Sequence, residues 1–131
     1  MSAFHRQHRP MHSTRLLHYF ECNDHAGELA GATARVSLEN PVCGDHLVLT
    51  AIIEGGSIRA IRYLARGCVA AIGTAAALCH CLEGGTLGQA RQLTREHLLA
   101  EVGGLESASL HAAALALEAR DRLLAEASVH L

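Results

Sequence analysis

Cys43-Gly44-Asp45 is followed 25 residues later by Gly67-Cys68, and in both patterns a donor side chain stands beside a glycine. Two thiolates and a carboxylate form a mixed set: thiolates favour iron, zinc and copper(I), while a carboxylate favours iron and other harder ions. His111, far downstream at the start of a helical pattern, is a fourth candidate donor. Cys43, Asp45, Cys68 and His111 come from three separate parts of the chain and suffice for one four-coordinate site. Neither cysteine belongs to a CxxC pair. Spacing alone therefore leaves a plainer alternative open, with both cysteines as small buried hydrophobes and His111 as a capping or surface residue.

Other donor-rich stretches read differently. In Cys79-His80-Cys81 the two thiols are two residues apart, so on a helix they point about 200° away from each other. Cys79 also lies 11 residues beyond Cys68, about 16 Å along a helix axis, too far to share one ion. Core packing is the expectation for Cys79. His5, His8, His12, His18 and His25 could trap nickel or zinc weakly, but they read as part of a solvated arm. Cys22 receives no role.

The site needs elements to position it. Residues 1–12 read as a flexible arm and residues 13–131 as one domain. Residues 13–20 form a short amphipathic helix capped by Ser13 or Thr14, and 21–31, rich in turn formers, form a loop. Strands are expected over 32–39, 46–53 and 58–65, with Glu54-Gly55-Gly56-Ser57 as the hairpin turn between the last two. Asn40-Pro41 breaks the chain before the Cys43–Asp45 loop. A helix begins at Cys68, with Cys68, Ile72, Ala75, Cys79 and Leu82 as its apolar stripe. A helix start offers unpaired N–H groups and the positive end of a dipole, an environment that favours a thiolate. Thr86 and Thr94 cap two short helices; the second capping box is incomplete because His97 stands at its third position. Residues 107–127 form the longest helix, capped by Ser107 or Ser109, with Leu110, Ala114, Leu117 and Leu124 on one face. Strands followed by helices indicate an α+β domain, a three-stranded antiparallel sheet packed on one face by several helices.

Composition narrows the function classes. Half of the 131 residues are hydrophobic, enough for a core without staples, and only 3% are aromatic, so the packing is of small side chains. A formal net charge of −2 lacks the basic field of a nucleic-acid binder. No run of 18 apolar residues exists, which excludes a membrane-spanning helix, and the His/Arg-rich start has no apolar signal region. Cytoplasmic location with reduced thiols follows as the default. Five cysteines, an odd number, argue against a disulfide framework.

Asn40-Pro41-Val42-Cys43-Gly44-Asp45 resembles the first ligand loop of IscU/NifU-type iron–sulfur cluster assembly scaffolds. Arg66-Gly67-Cys68-Val69-Ala70-Ala71 and the small residues that follow resemble the second ligand and its helix. Glu83-Gly84-Gly85-Thr86-Leu87 resembles the turn closing that helix, and the segment Leu110–Ala119 resembles the third ligand region. Leu17-His18-Tyr19-Phe20 is similar to the family's first helix. The likeness spans about residues 14–127, in order.

The resemblance implies an α+β scaffold without turnover of its own. Such a scaffold assembles a [2Fe–2S] cluster from iron and from sulfur supplied by a cysteine desulfurase, then passes it to apo-proteins. By position, its ligands fall on Cys43, Asp45, Cys68 and His111, which could also hold zinc. The histidine, and the absence of the extra segment found in the zinc-containing SufU branch, point to the IscU branch. Two departures stand out. The family's third ligand Cys, tied to accepting sulfur, falls on Ala112, which has no donor atom and bears against building a cluster from scratch. Leu105–Ser109 replaces the Leu-Pro-Pro-Val-Lys chaperone motif, so recognition by that dedicated chaperone is not expected. The alternative is a degenerate paralogue that kept the fold and acts as a partner-binding or regulatory module, binding a desulfurase or a true scaffold. A zinc hydrolase, with Asp45 or His111 activating a metal-bound water, lacks a second acid/base constellation.

Overall fold

The computed structural model describes residues 12–42 and 44–129. The expected arm over 1–12 and the first ligand candidate, Cys43, therefore fall wholly or mainly outside the described residues.

Strands β1 (Ala34–Asn40), β2 (Asp45–Glu54) and β3 (Ser57–Arg66) form an antiparallel sheet in the order β1-β2-β3. Leu38 lies opposite Leu47, and Leu49 is flanked by Val36 and Tyr63. Side chains alternate along a strand, so Leu38, Leu47, Leu49, Ala51, Ile61 and Tyr63 share one face, and all are buried in the core. Each strand is slightly longer than its apolar pattern suggests, or shifted by one or two residues.

Part of the opposite face is covered too. The loop over residues 22–33 lies there, and its Leu29 N–H donates to Thr50 Oγ1 at 3.0 Å, which satisfies a hydroxyl only 1% exposed. The same loop touches the edge of β3, where Ala26 bridges to Tyr63. No hydrophobic periodicity announces this cover.

Helix α1 (Thr14–Glu21) starts at Ser13, whose Oγ accepts the Leu16 N–H. Helix α2 (Val69–Leu82) departs from the expected single apolar stripe: ten of its 14 residues are buried, on all sides. It packs between α1, the sheet and the last helix. Its small residues allow this, and Gly73 shows how closely: a Cβ there would lie 2.6 Å from Leu16 Cδ1 and 3.0 Å from the Leu16 carbonyl. Helix α3 (Leu87–Gln92) carries a full capping box between Thr86 and Gln89, and α4 (Arg95–Glu101) is capped by Thr94 through the His97 N–H.

The final helix differs from expectation at its start and in its buried face. Residues 107–109 form a 3₁₀ turn, Glu106 holds the cap position without a side-chain bond, and α5 runs over Leu110–Val129. Neither Ser107 nor Ser109 therefore occupies that cap position. Of the four residues expected to face the core, only Leu124 is fully buried. Leu110 and Leu117 are half-buried and Ala114 is exposed. Ala112, Ala113, Ala116, Ala119, Leu123 and Ala127 form the buried side instead. Arg120 is buried among them because its Nη1 donates to the Ala90 and Leu93 carbonyls at 2.9 and 2.7 Å, at the end of α3, where helix carbonyls have few partners of their own.

Candidate metal centre

Asp45 belongs to β2 rather than to the loop before it. It opens the strand opposite Asn40, and alternation places it on the same face as Leu47 and Leu49, at the end of the core. Its side chain is 2% exposed. The turn leading to it is tightened by Gly44, whose N–H donates to the Asn40 carbonyl at 2.7 Å.

Gly67 makes room for that carboxylate. It follows β3 with φ +142, and a Cβ built there would stand 2.1 Å from Asp45 Oδ1. Only glycine adopts this backbone readily and admits a carboxylate so close. Cys68 comes next as the N-cap of α2; its Sγ accepts the Ala71 N–H at 3.4 Å. A thiol here takes the place that serine or threonine usually fills, while the residue as a whole stays exposed.

His111 arrives from the other end of the chain, on the first turn of α5. Its Nε2 is 3.0 Å from Asp45 Oδ2 and 4.0 Å from Cys68 Sγ. Among the described residues this trio is the one group of three such donors whose ligand atoms all lie within 4.8 Å of one another. Donors on one tetrahedral zinc, at bonds of 2.0–2.3 Å, stand roughly 3.4–3.6 Å apart. The observed separations bracket that value.

Among the described residues, Asp45 Oδ2 is buried without an aligned hydrogen-bond donor. His111 Nε2 is close to it, so the two form an ion-pair-range contact that lacks hydrogen-bond geometry. A stranded buried carboxylate oxygen is costly. A cation held jointly by Oδ2, Nε2 and Sγ would relieve that cost, and the donor types suit zinc or iron.

Three of the four sequence candidates, Asp45, Cys68 and His111, are thus brought together. Cys43 lies outside the described residues, in the connection between β1 and β2. Its neighbour Val42 is 92% exposed. Ala112, beside His111, is 2% exposed and turns into the core.

The other thiols are built differently. Cys79 is fully buried and faces the core; burial, with Glu83 nearby, pushes its pKa well above the ordinary thiol value. Burial, with Glu101 nearby, pushes the Cys81 thiol up to about 11. Sequence reasoning missed one polar network beside them. Glu83 accepts from the Ile61 N–H at 3.1 Å and from Arg62 Nη1 at 2.7 Å, and its other oxygen lies 3.0 Å from His25 Nε2. These partners sit on a loop, a strand and a helix cap, so no periodic signal joins them.

Known proteins share this arrangement of chain and fold. Over 116 residues the chain is 28% identical to "Iron-sulfur cluster assembly scaffold protein IscU 1" of Archaeoglobus fulgidus, covering 88% of this chain and 76% of that one. It is likewise 28% identical to "Iron-sulfur cluster assembly scaffold protein IscU" of Aquifex aeolicus over 109 residues, 82% of this chain and 69% of that one. The fold is similar to a crystal structure of a candidate iron–sulfur cluster assembly scaffold protein for the SUF system from Fervidobacterium islandicum AW-1. The TM-score is 0.72 at 14% identity, over 87% of this chain and 96% of that one. A nitrogen-fixing NifU-like protein (N-terminal) from Brucella abortus gives a TM-score of 0.56 at 18% identity, over 88% of this chain and 82% of that one. The model of the NifU-like N-terminal domain matches residues 11–126, nearly the whole chain, and the protein belongs to that family.

Proposed function

We propose that this protein is an iron–sulfur cluster assembly scaffold or carrier. It holds iron, a [2Fe–2S] cluster or zinc at Cys43, Asp45, Cys68 and His111 and passes its cargo to apo-proteins. The observation that carries the reading is the convergence of Asp45 Oδ2, Cys68 Sγ and His111 Nε2 from three distant segments, with the buried Oδ2 lacking a hydrogen-bond partner among the described residues. The scaffold role named for its relatives supports the same conclusion.

Each residue has a definable task. Cys68 presents a soft donor at the rim, held by the Ala71 N–H. Asp45 presents a hard donor from beneath, and Gly67 leaves it the space. His111 closes the set from α5; an imidazole can replace a thiolate on a cluster iron. A mixed set with one carboxylate holds its cargo less firmly than four thiolates, which suits transfer. The chain needs no general acid or base for this task, and the partners are a cysteine desulfurase as sulfur donor and apo iron–sulfur proteins as acceptors.

Ala112 favours a second reading. With no thiol beside His111, the protein would keep the fold and act as a partner-binding or regulatory module. Anaerobic incubation with iron(II), cysteine, a cysteine desulfurase and a thiol reductant that brings the delivered sulfur to sulfide, followed by addition of an apo-ferredoxin, separates the two. A scaffold or carrier acquires sulfide-bridged iron and activates the ferredoxin. A regulatory module acquires no cluster, and its affinity for the desulfurase is unchanged in Cys43→Ala/Cys68→Ala.

A further inference from the structure

Two motifs left unused by the Asp45 site meet at the other end of α2. His18 lies on α1, Cys22 caps that helix, and Asp24 and His25 lie in the following loop. His80 comes from Cys79-His80-Cys81. With Tyr19 they line one cavity of about 140 Å³. His80 is 12 residues beyond Cys68, about 18 Å along α2, so this cavity is separate from the Asp45 trio.

We propose that this cavity is a second metal site, for a divalent transition ion of the zinc class, with Cys22, His25 and His80 as ligands and Asp24 completing the set. The His25 and His80 rings stand edge to face, 6.5 Å between centroids. Two imidazoles on one zinc place their centroids roughly 5–6 Å apart, given Zn–N bonds of 2.0–2.1 Å. His25 Nε2 is already held by the Glu83 carboxylate at 3.0 Å. This is the arrangement in which a ligating histidine is oriented through one nitrogen while the other is left for the ion. Cys22 is anchored at both backbone ends, its N–H on the Tyr19 carbonyl and its carbonyl on Tyr63 Oη. The electrostatic surroundings suit a cation: the α2 carbonyl end carries partial negative charge, and Glu83 and Glu101 lie beside it, partly offset by Arg62 and Arg15. Thiolate and imidazole donors together select zinc-like ions over magnesium or calcium. Unlike the Asp45 trio, these donors are not already within 4.8 Å of one another, so binding draws α1 and the loop onto α2.

The test uses the full chain with His5, His8 and His12 changed to alanine, which removes the N-terminal histidines, and with Cys43→Ala/Cys68→Ala/His111→Ala, which removes the first site. Anaerobic cobalt(II) titration should give one equivalent bound, with thiolate-to-cobalt absorption that Cys22→Ser abolishes. His25→Ala/His80→Ala should weaken binding at least ~10-fold. A background variant that binds no cobalt, or binding unmoved by these three substitutions, overturns the proposal. Native mass spectrometry of the chain with Cys43, Cys68 and His111 intact gives an independent reading should that background fold poorly. Two zinc ions per chain, falling to one with Cys22→Ser/His80→Ala, is expected; one ion in both contradicts it.

Discussion

The two ends of helix α2 carry the same kinds of side chain and differ in how those side chains are held. At the N-terminal end Cys68 meets Asp45 from β2 and His111 from α5, with ligand atoms gathered inside 4.8 Å. At the C-terminal end Cys79 is sealed in the core and Cys81 is half-buried with a thiol pKa near 11. His80 looks out onto a cavity whose donors remain apart. Donor identity alone therefore does not preassemble a metal centre. At the first end a strand start, a helix cap and a helix first turn converge, and a glycine leaves the carboxylate its space. At the second, consecutive residues of one helix point to different sides.

Breaking one end should spare the other. The largest effect is expected from Leu16→Ala. Leu16 is 1% exposed and docks α1 on α2, so its truncation should cost ~2–5 kcal/mol of stability. It should open the His80 end, while metal affinity at Asp45 falls little once the protein is folded. Chemical denaturation with parallel zinc titration checks both. Gly67→Ala should act in reverse. Its Cβ would collide with Asp45 Oδ1 in a backbone conformation that alanine resists, costing ~1–3 kcal/mol. It should also lower affinity at the Asp45 site ~10–100-fold, with the α1–α2 cavity unchanged.

Two smaller effects sharpen the contrast. Glu83 would be raised in pKa by burial alone, but the Ile61 N–H, Arg62 and His25 together hold it below its ordinary value of 4.5. A group depressed in the folded state stabilises it above the unfolded pKa, and loses that contribution as pH falls through the folded value. Glu83→Gln should thus cost about 1 kcal/mol at pH 7. The gap between wild type and variant should close as urea melts are taken below pH 4.5. Thiol alkylation followed by peptide mass mapping should label Cys68 readily at pH 8. Cys81, whose thiol pKa burial raises to about 11, and sealed Cys79 should react far more slowly; added zinc should protect Cys68.

Most of the fold was legible because its signals are local. The Glu54–Ser57 turn, the threonine caps at 86 and 94 and the apolar strands on either side of that turn announce themselves within a few residues, whereas β1, with Ala34 and Leu38 as its buried positions, is weakly patterned. The face of α5 was misread because alanines fill both its buried and exposed sides, so Ala114 looks like Ala112 in a pattern count. Helix α2 was read as one stripe because a helix buried all round has no polar face to define one. Arg120 and the cover over Thr50 depend on partners about 20 to 30 residues away, and no spacing rule reaches that far. At the site, residue types and neighbouring glycines marked Asp45, Cys68 and His111 as candidates. Only the register that starts β2 at Asp45 reveals that its carboxylate is buried, with Oδ2 lacking an aligned hydrogen-bond donor among the described residues.

Anaerobic reconstitution of the wild-type chain with iron and sulfide, compared with Cys68→Ala and His111→Ala and read by visible absorption and bound-metal analysis, tests the central claim most directly. The account predicts sulfur-to-iron charge-transfer bands or, when iron is absent, one equivalent of zinc at the Asp45 site, lost in Cys68→Ala and weakened at least ~10-fold in His111→Ala. Metal content and spectra indistinguishable among the three proteins would contradict it.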